Sequence, residues 1–547
     1  MTSSFIVSLV VQYLLLPLAL LGLATPWLLR AARPSRPGFA FRSPWGLMTL
    51  FVVIGGVMGS LRYFAYRTAY HDLGTYDQRI WSLSQLDVLA SLTHLIEGFG
   101  HFSPVLTPHV MVYRLYADAL VLIWLQVIAV AAGAYPVYRL AERHLGERAA
   151  LAFAAAYLLY PSVVFTVLLD FHPDHLVLPL LLFAFDALDR GSTSTALGLA
   201  LLVVLVKEPM VLTAMAFGVY VVIVRRRYLL GLALLVSGLA AFALVIVPRY
   251  GGVFRAEIGA MSYGYLGSTI GEVLRTVVLS PGTWLAEATK LAKLHFLFLM
   301  LAPLALLPLV APSVLLVAVP GFALALLSRW SPRHQVWTQY VNPMLPPLFV
   351  AAILGYQRLL RAPLWARLGG LARHRERLMT GWLLGTAVYF NVLLSPSPIS
   401  TTFWLGFNGL PSQTRWPPGA LAPLRTEQWS AWSEWVRWPL HWTAYVVGAR
   451  EREIRESLRR YVPSSPAVSV SLQNNLNSSY LAHRAQCVVF PAPADYVVLD
   501  TQRPLWLLAG IDTKAYMAEV ASLRLRRPLV HAADGLLIFG PTPPDAR

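Results

Sequence analysis

The sequence predicts an α-helical polytopic membrane protein with a small extracytoplasmic α/β domain at its C-terminal end. Three observations carry that reading. Charged residues make up only 13% of the 547-residue chain, against roughly 25% in soluble globular proteins. Mean hydropathy is +0.58, and stretches such as 5–29, 119–138 and 228–247 are apolar nearly throughout, meeting the roughly 18 residues that a bilayer core requires. Beyond residue 394 the long apolar runs give way to a Trp- and Pro-rich stretch and then to short alternating segments.

Backbone inside a bilayer must satisfy its own hydrogen bonds, so long apolar runs with few turn residues are helices rather than barrel strands. Counting such runs between basic loops predicts about twelve spans in residues 1–394. The first run, 5–29, lacks a basic leader and a small-residue cleavage site, so it is expected to be a retained helix. Two runs, 176–188 and 195–206, are short for a crossing and fit broken or re-entrant helices.

A formal charge of +17 fits a nucleic-acid partner, but its distribution argues against one. Four of the 44 basic residues are lysine (Lys207, Lys290, Lys293, Lys514), which leaves 40 arginines. Many of these fall in short loops: Arg30, Arg33, Arg36 and Arg42; Arg139, Arg143 and Arg148; Arg225–Arg227; and Arg358 through Arg377. That is the positive-inside pattern. Placing all four groups on the cytoplasmic side of the cytoplasmic membrane turns both termini outward. The loops after Leu61 and Pro248, and everything after Leu394, then lie outside. A lone cysteine, Cys487, excludes an intrachain disulfide and a cysteine metal cage.

Residues 395–462 carry Trp404, Trp416, Trp429, Trp432, Trp435, Trp438 and Trp442, aromatics that favour the membrane–water interface. In 463–547, strands are expected at 467–471, 487–490, 496–499 and 536–539, with helices around 475–484 and 513–525.

Polar residues concentrate at the ends of apolar runs on the predicted outer side. The run His71-Asp72-Leu73-Gly74-Thr75-Tyr76-Asp77-Gln78-Arg79 offers two carboxylates, and a hydroxyl-activating enzyme needs a carboxylate as base or to orient a metal. The bland reading is an interfacial loop of ordinary salt bridges. His101-Phe102-Ser103-Pro104 and Asp170-Phe171-His172-Pro173-Asp174-His175 add His101, His172 and His175, which suit a divalent metal ion or an anionic phosphate. Equally, they suit histidines at helix ends. Lys207-Glu208 is either a self-neutralising pair or a cation for a lipid phosphate oriented by its neighbour. In Ser331-Pro332-Arg333-His334-Gln335-Val336-Trp337-Thr338-Gln339-Tyr340, Arg333 and His334 can contact phosphate. Trp337 and Tyr340 can stack on a sugar or anchor the interface. No Walker phosphate loop, dinucleotide glycine fingerprint or Ser-His-Asp signature is present, which argues against ATP-driven transport and soluble-cofactor chemistry.

Together, Asp72-Leu73-Gly74-x-Tyr76-Asp77-Gln78-x-x-Trp81, His101-Phe102-Ser103-Pro104, Asp170-Phe171-His172-Pro173, Lys207-Glu208, Gln473-Asn474-Asn475-Leu476 and Ala494-Asp495-Tyr496 resemble a family of predicted bacterial and archaeal membrane proteins. It is catalogued as domain of unknown function 2079 (DUF2079). That family is distantly similar to the GT-C glycosyltransferases, multi-span enzymes that use polyprenyl-phosphate-linked sugars on the outer side of the membrane. An acidic residue in their first outer loop is essential, and by position Asp72 or Asp77 matches it. The resemblance implies a polyprenyl-phosphate-linked sugar as donor and an acceptor reached from outside. Lys207, Glu208, Arg333, His334 and Tyr340 would contact substrate or phosphate, and His101, His172 and His175 would complete that pocket or bind a divalent metal ion. The alternatives from other classes are a transporter or lipid flippase built around Lys207-Glu208, and a non-catalytic membrane scaffold.

Overall fold

Helices follow the apolar runs, but prolines cut them shorter than the runs themselves. The computed structural model describes residues 43–97, 101–250, 262–367, 369–405, 441–463, 465–476, 486–502 and 513–542. The expected helix at 5–29 and most of the Trp-rich stretch lie outside the described residues, as does most of the expected helix at 475–484.

The principal helices of the first part are α1 Pro44–Phe64, α2 Thr75–Ser84, α3 Val88–Glu97 and α4 Thr107–Leu115. Next come the long α5 Ala119–Leu145, then α6 Glu147–Leu159, α7 Pro161–Leu168, α8 Val177–Asp189, α9 Thr193–Val204, α10 Met210–Ile223 and α11 Tyr228–Ala241. The set closes with α12 Ile270–Leu279, α13 Pro281–Ala288, α14 Leu291–Leu301, α15 Val319–Leu327, α16 Leu345–Leu360 and α17 Arg375–Leu394.

The expected count of about twelve spans is not confirmed among the described residues. Among the described residues two, α1 and α5, are long and apolar enough to cross a membrane, or three if α6 and α7 form one span bent by 49°. Proline accounts for much of the difference, because it removes a backbone donor and clashes with the preceding turn. Tyr160 is extended and Pro161 opens α7; Pro303, Pro308 and Pro312 divide residues 291–327 into short helical pieces. The two short runs do form helices, α8 and α9, and α9 stops at Val204 before the Lys207-Glu208-Pro209 break.

Helix α1 lies against α5 at close range because its contact face is glycine. A Cβ added at Gly56 would come within 2.4 Å of Trp124, and one at Gly59 within 2.7 Å of Ile123. Small residues at such spacing let helices approach where lipid offers no hydrophobic drive. One large apolar core joins α1 and α5–α11 to α14–α17. A second, smaller one gathers Leu73, Tyr76, Ile80, Val110, Tyr113, Leu122 and Phe171, so it ties α2 and α4 to the start of α5.

The C-terminal part is a five-stranded sheet of order β2-β1-β3-β5-β4. Its strands are β1 Ser469–Leu472, β2 Gln486–Val489, β3 Tyr496–Asp500, β4 Leu529–Ala533 and β5 Leu536–Phe539. β1 runs parallel to β2 and β3, whereas β5 is antiparallel to β3 and β4. Helix α18, Ala449–Tyr461, packs Ile454 and Leu458 into the same core as Val470, Leu472 and Val498; helix α19, Thr513–Arg526, packs with Val497, Leu499 and Phe539 through Tyr516, Val520 and Leu523. Four strands and α19 coincide with the sequence-based expectation to within a few residues. β4 was not anticipated: it is an edge strand exposed along much of its length, so it lacks the alternation that marks a half-buried strand. Its hairpin signal was Asp534-Gly535, both at positive φ (43° and 82°), a favoured two-residue turn.

Candidate functional site

The segments that join the helices at one end of the bundle bring distant polar residues together in pairs. The first is built on a π-helical turn, Tyr70–Gly74, which runs directly into α2. Such turns are rare and are frequently found at functional sites. Asp72, in this turn, meets His172: Nε2 lies 3.1 Å from Oδ1. The other ring nitrogen, Nδ1, lies 3.0 Å from the Asp170 carbonyl. With oxygen acceptors on both sides, only the doubly protonated imidazolium satisfies both contacts. Burial pushes the His172 pKa down, but the charge and hydrogen bond of Asp72 outweigh it and leave the pKa raised above 6.5.

Asp170 itself turns back to α1. Arg62, in the last turn of that helix, places Nη2 3.2 Å from its Oδ1, and the Ala69 N–H donates to Oδ2 at 2.6 Å. Burial pushes the Asp170 carboxyl up to about 6, with Arg62 opposing. Arg62 also donates to the Leu168 carbonyl, so one buried arginine fastens α1 to the end of α7. Sequence reasoning assigned Arg62 no role. Its available signal was a single arginine in the closing turn of an apolar helix, where a cation suits the helix dipole.

The second pair is Lys207 with Asp174, 3.2 Å apart and both buried. Burial acts to lower the Lys207 pKa, but Asp174 prevails and the ammonium is held charged. The third is His101 with Glu208, Nδ1 to Oε2 3.0 Å; Glu208 also accepts the Phe102 N–H at 2.6 Å. Lys207 and Glu208 are therefore not a self-neutralising pair, since each reaches a different loop. Ser103 Oγ donates to the Val206 carbonyl at 2.9 Å, which locks the 101–105 segment against the break between α9 and α10.

Aromatic rings link the pairs. Tyr76 packs edge-on against Phe171 and near His172, with ring centroids 5.4 and 6.3 Å away. It feels the charges of Lys207, Asp174, Asp72 and Glu208. Tyr340 lies within electrostatic reach of Lys207, Arg333, Asp174 and Asp72. Arg333 is boxed by rings: its guanidinium carbon is 5.0 Å from the Tyr340 centroid, 5.5 Å from Tyr263 and 5.9 Å from Trp330. Its buried Nε has no hydrogen-bond partner. A cation enclosed by π-faces, with no carboxylate pairing it among the described residues, suits an incoming anion.

Other predicted site residues stand apart. Asp77 is fully buried and accepts from Tyr113 at 2.8 Å, so it serves the contact between α2 and α4. His175 donates from Nδ1 to the His172 carbonyl at 2.6 Å. Its buried ring lies 6.1 Å from that of His109, and burial takes its pKa down to about 3, which keeps it neutral. His334 is lowered to about 4, first by burial and then by the charge of Lys293, one of the cations gathered on Glu287. Trp337 is buried near Phe165 and belongs to the core, not to a stacking platform. Among the described residues no group of three or more His, Cys, Asp or Glu side chains is placed to hold a metal ion; Asp72, Asp170, Asp174 and Glu208 face His or cationic partners instead.

Residues 62–405 match the family of predicted membrane proteins DUF2079. No curated protein matches the chain at a significant level. Among solved structures, the chain is similar to ArnT from Cupriavidus metallidurans, bound to undecaprenyl phosphate and in the apo state. In both comparisons the TM-score is 0.48 and the identity 15%, covering 90% of this chain and 98% or 97% of the other. The apo oligosaccharyltransferase of Archaeoglobus fulgidus is similar at a TM-score of 0.34 and 12% identity, covering 83% of this chain and 70% of the other.

Proposed function

We propose that this chain, which belongs to the DUF2079 family of predicted membrane proteins, is a glycosyltransferase that moves a sugar from a polyprenyl-phosphate donor to an acceptor at the outer face of the cytoplasmic membrane. The observation that carries this reading is the meeting of an acid–imidazolium pair, Asp72–His172, with the cations Lys207 and Arg333 around Tyr340. Inverting transfer needs a base for the acceptor hydroxyl and positive charge for the departing phosphate. Asp72 takes the hydroxyl proton, the acceptor oxygen attacks the anomeric carbon, and the bond from that carbon to the phosphate oxygen breaks. Polyprenyl phosphate leaves with the electron pair, against Arg333 and the Lys207–Asp174 pair.

Asp72 is preferred over Asp77 as the base because Asp77 is buried against Tyr113. His172 orients Asp72, His101 and Glu208 line the edge of the site, and Tyr340 offers a face to the sugar. The sidedness rests on the basic loops: Arg143 and Arg225 meet on Asp189, at the far end of α8 from Asp174, and Gln357, next to Arg358, reaches His144 there, as the positive-inside rule requires for a cytoplasmic face. The C-terminal sheet then lies outside.

The test is to incubate purified full-length protein in nanodiscs with a panel of polyprenyl-phosphate sugars and an envelope acceptor fraction, scoring donor cleavage by mass spectrometry. One donor class is expected to be bound and to lose its sugar. If none is cleaved, or if intact donors cross the bilayer, the enzyme reading is wrong and a flippase takes its place.

A further inference from the structure

The segment that carries Asp72 is shared between two cores. Leu73, Tyr76 and Ile80 are buried with Tyr113 and Phe171 in the helical part. Tyr66 and Tyr70 are buried instead among Ile454, Leu458, Val470, Leu472, Cys487 and Ile538 of the C-terminal domain. Asp72 lies between these two sets, in the π-helical turn Tyr70–Gly74.

Polar contacts reinforce this division. The Tyr70 N–H donates to the Asn474 carbonyl at 2.8 Å, just beyond the end of β1. The Tyr70 hydroxyl donates to the Cys487 carbonyl on β2, and the Gln78 amide oxygen lies 3.3 Å from the same hydroxyl. Nearby, the Arg455 guanidinium covers the Phe64 ring at 4.6 Å, tying α18 to the end of α1. Tyr66 adopts a positive φ of 54°, a conformation that a bulky residue takes only where its surroundings enforce it. Here those surroundings are the C-terminal domain.

We infer that the C-terminal α/β domain is a brace for the Asp72 turn, with Tyr70 as the positioning residue that transmits its hold. The domain is then part of the working site and not a separately acting recognition module. Tyr70 touches no reacting atom; it fixes the turn from which Asp72 reaches His172. This inference rests on the proposed role of Asp72, but its structural content can be measured without any substrate. Active sites need such support, because displacement of a reacting group by about 1 Å can cost on the order of a hundredfold in rate.

The experiment uses the full-length protein in nanodiscs, as wild type, Tyr70→Ala and Tyr70→Phe, with hydrogen exchange read peptide by peptide. Tyr70→Ala is expected to speed amide exchange across residues 70–84 at least about tenfold while α5 stays protected. Tyr70→Phe keeps the ring and loses only the hydroxyl bond, so an increase of about threefold is expected. With the cleaved donor in hand, kcat falls in the same order, while the donor KM and binding of polyprenyl phosphate itself stay within about twofold. Unchanged exchange over 70–84 in both folded variants overturns the brace, and if Tyr70→Ala does not fold, Tyr70→Phe alone decides. Faster exchange in a protein whose wild type binds no polyprenyl phosphate leaves the brace standing and removes only the glycosyltransferase reading.

Discussion

Helix α8 has a charged cluster at each end, and the two are built differently. At its start Asp174 forms an ion pair with Lys207, beside the ion pairs Asp72–His172 and Glu208–His101. At its finish, about 20 Å away, Asp186 and Asp189 are each surrounded by cations. Arg143 bridges both, at 2.7 and 3.0 Å. Arg190 joins Asp186, while His144 and Arg225 join Asp189. The far cluster is arginine-rich, partly exposed and over-supplied with positive charge: a clamp between α5, α8 and the loop after α10. At the site end the Lys207–Asp174 pair is buried while His101 is half-exposed, and Arg333 sits among rings, with no acid pairing it among the described residues. Redundant pairing holds a structure together. Single ion pairs beside a ring-enclosed cation leave groups that can respond to a substrate.

That contrast predicts different costs. The largest concerns Lys207. Replacing it with methionine strands the buried Asp174 charge, and breaking a buried pair from one side costs about 3–5 kcal/mol; thermal unfolding in detergent should show that loss. Next is Arg333→Ala, which removes a cation that no acid pairs among the described residues. Its melting temperature should stay close to wild type, while affinity for polyprenyl phosphate drops on the order of tenfold to a hundredfold, the value of a charge-assisted contact. Comparable destabilisation by both substitutions would erase the distinction between them. A smaller effect belongs to the far cluster: Arg143→Ala should cost about 1–2 kcal/mol of stability with turnover per folded molecule unchanged.

The smallest is a pH effect. His172 holds its proton more tightly when folded, because its pKa is raised above 6.5. The stabilisation from its pair with Asp72 is therefore complete below the unfolded pKa and is lost as pH rises through the folded one. The difference in melting temperature between wild type and His172→Gln should be larger at about pH 6 than at about pH 9. A difference that grows with pH would mean that His172 is neutral in the folded protein.

Much of the proposed site was legible in the sequence as composition, and little as geometry. Asp72, His101, His172, Lys207 and Arg333 stand out in the sequence because polar residues at the ends of apolar runs are costly unless used. Which acid meets which base was not legible, since the pairing of His101 with Glu208 joins residues 107 apart and that of Lys207 with Asp174 joins residues 33 apart. Adjacency in sequence left open whether Lys207 and Glu208 neutralise each other; in the fold each reaches a different loop. Asp72 and Asp77 looked equivalent as well. They lie five positions apart, and only the π-turn before α2 sends one towards His172 and the other towards Tyr113. The helical class followed from hydropathy alone, whereas the number of long spans did not, because prolines at 161, 303, 308 and 312 interrupt runs that hydropathy averages over.

The most direct test sets those two carboxylates against each other. Asp72→Asn and Asp77→Asn, purified in parallel, are assayed for cleavage of the polyprenyl-phosphate donor and for retention of polyprenyl phosphate. The account predicts that Asp72→Asn keeps the lipid but loses cleavage by about a hundredfold or more, while Asp77→Asn cleaves at close to the wild-type rate per folded molecule. Full cleavage by Asp72→Asn would contradict it.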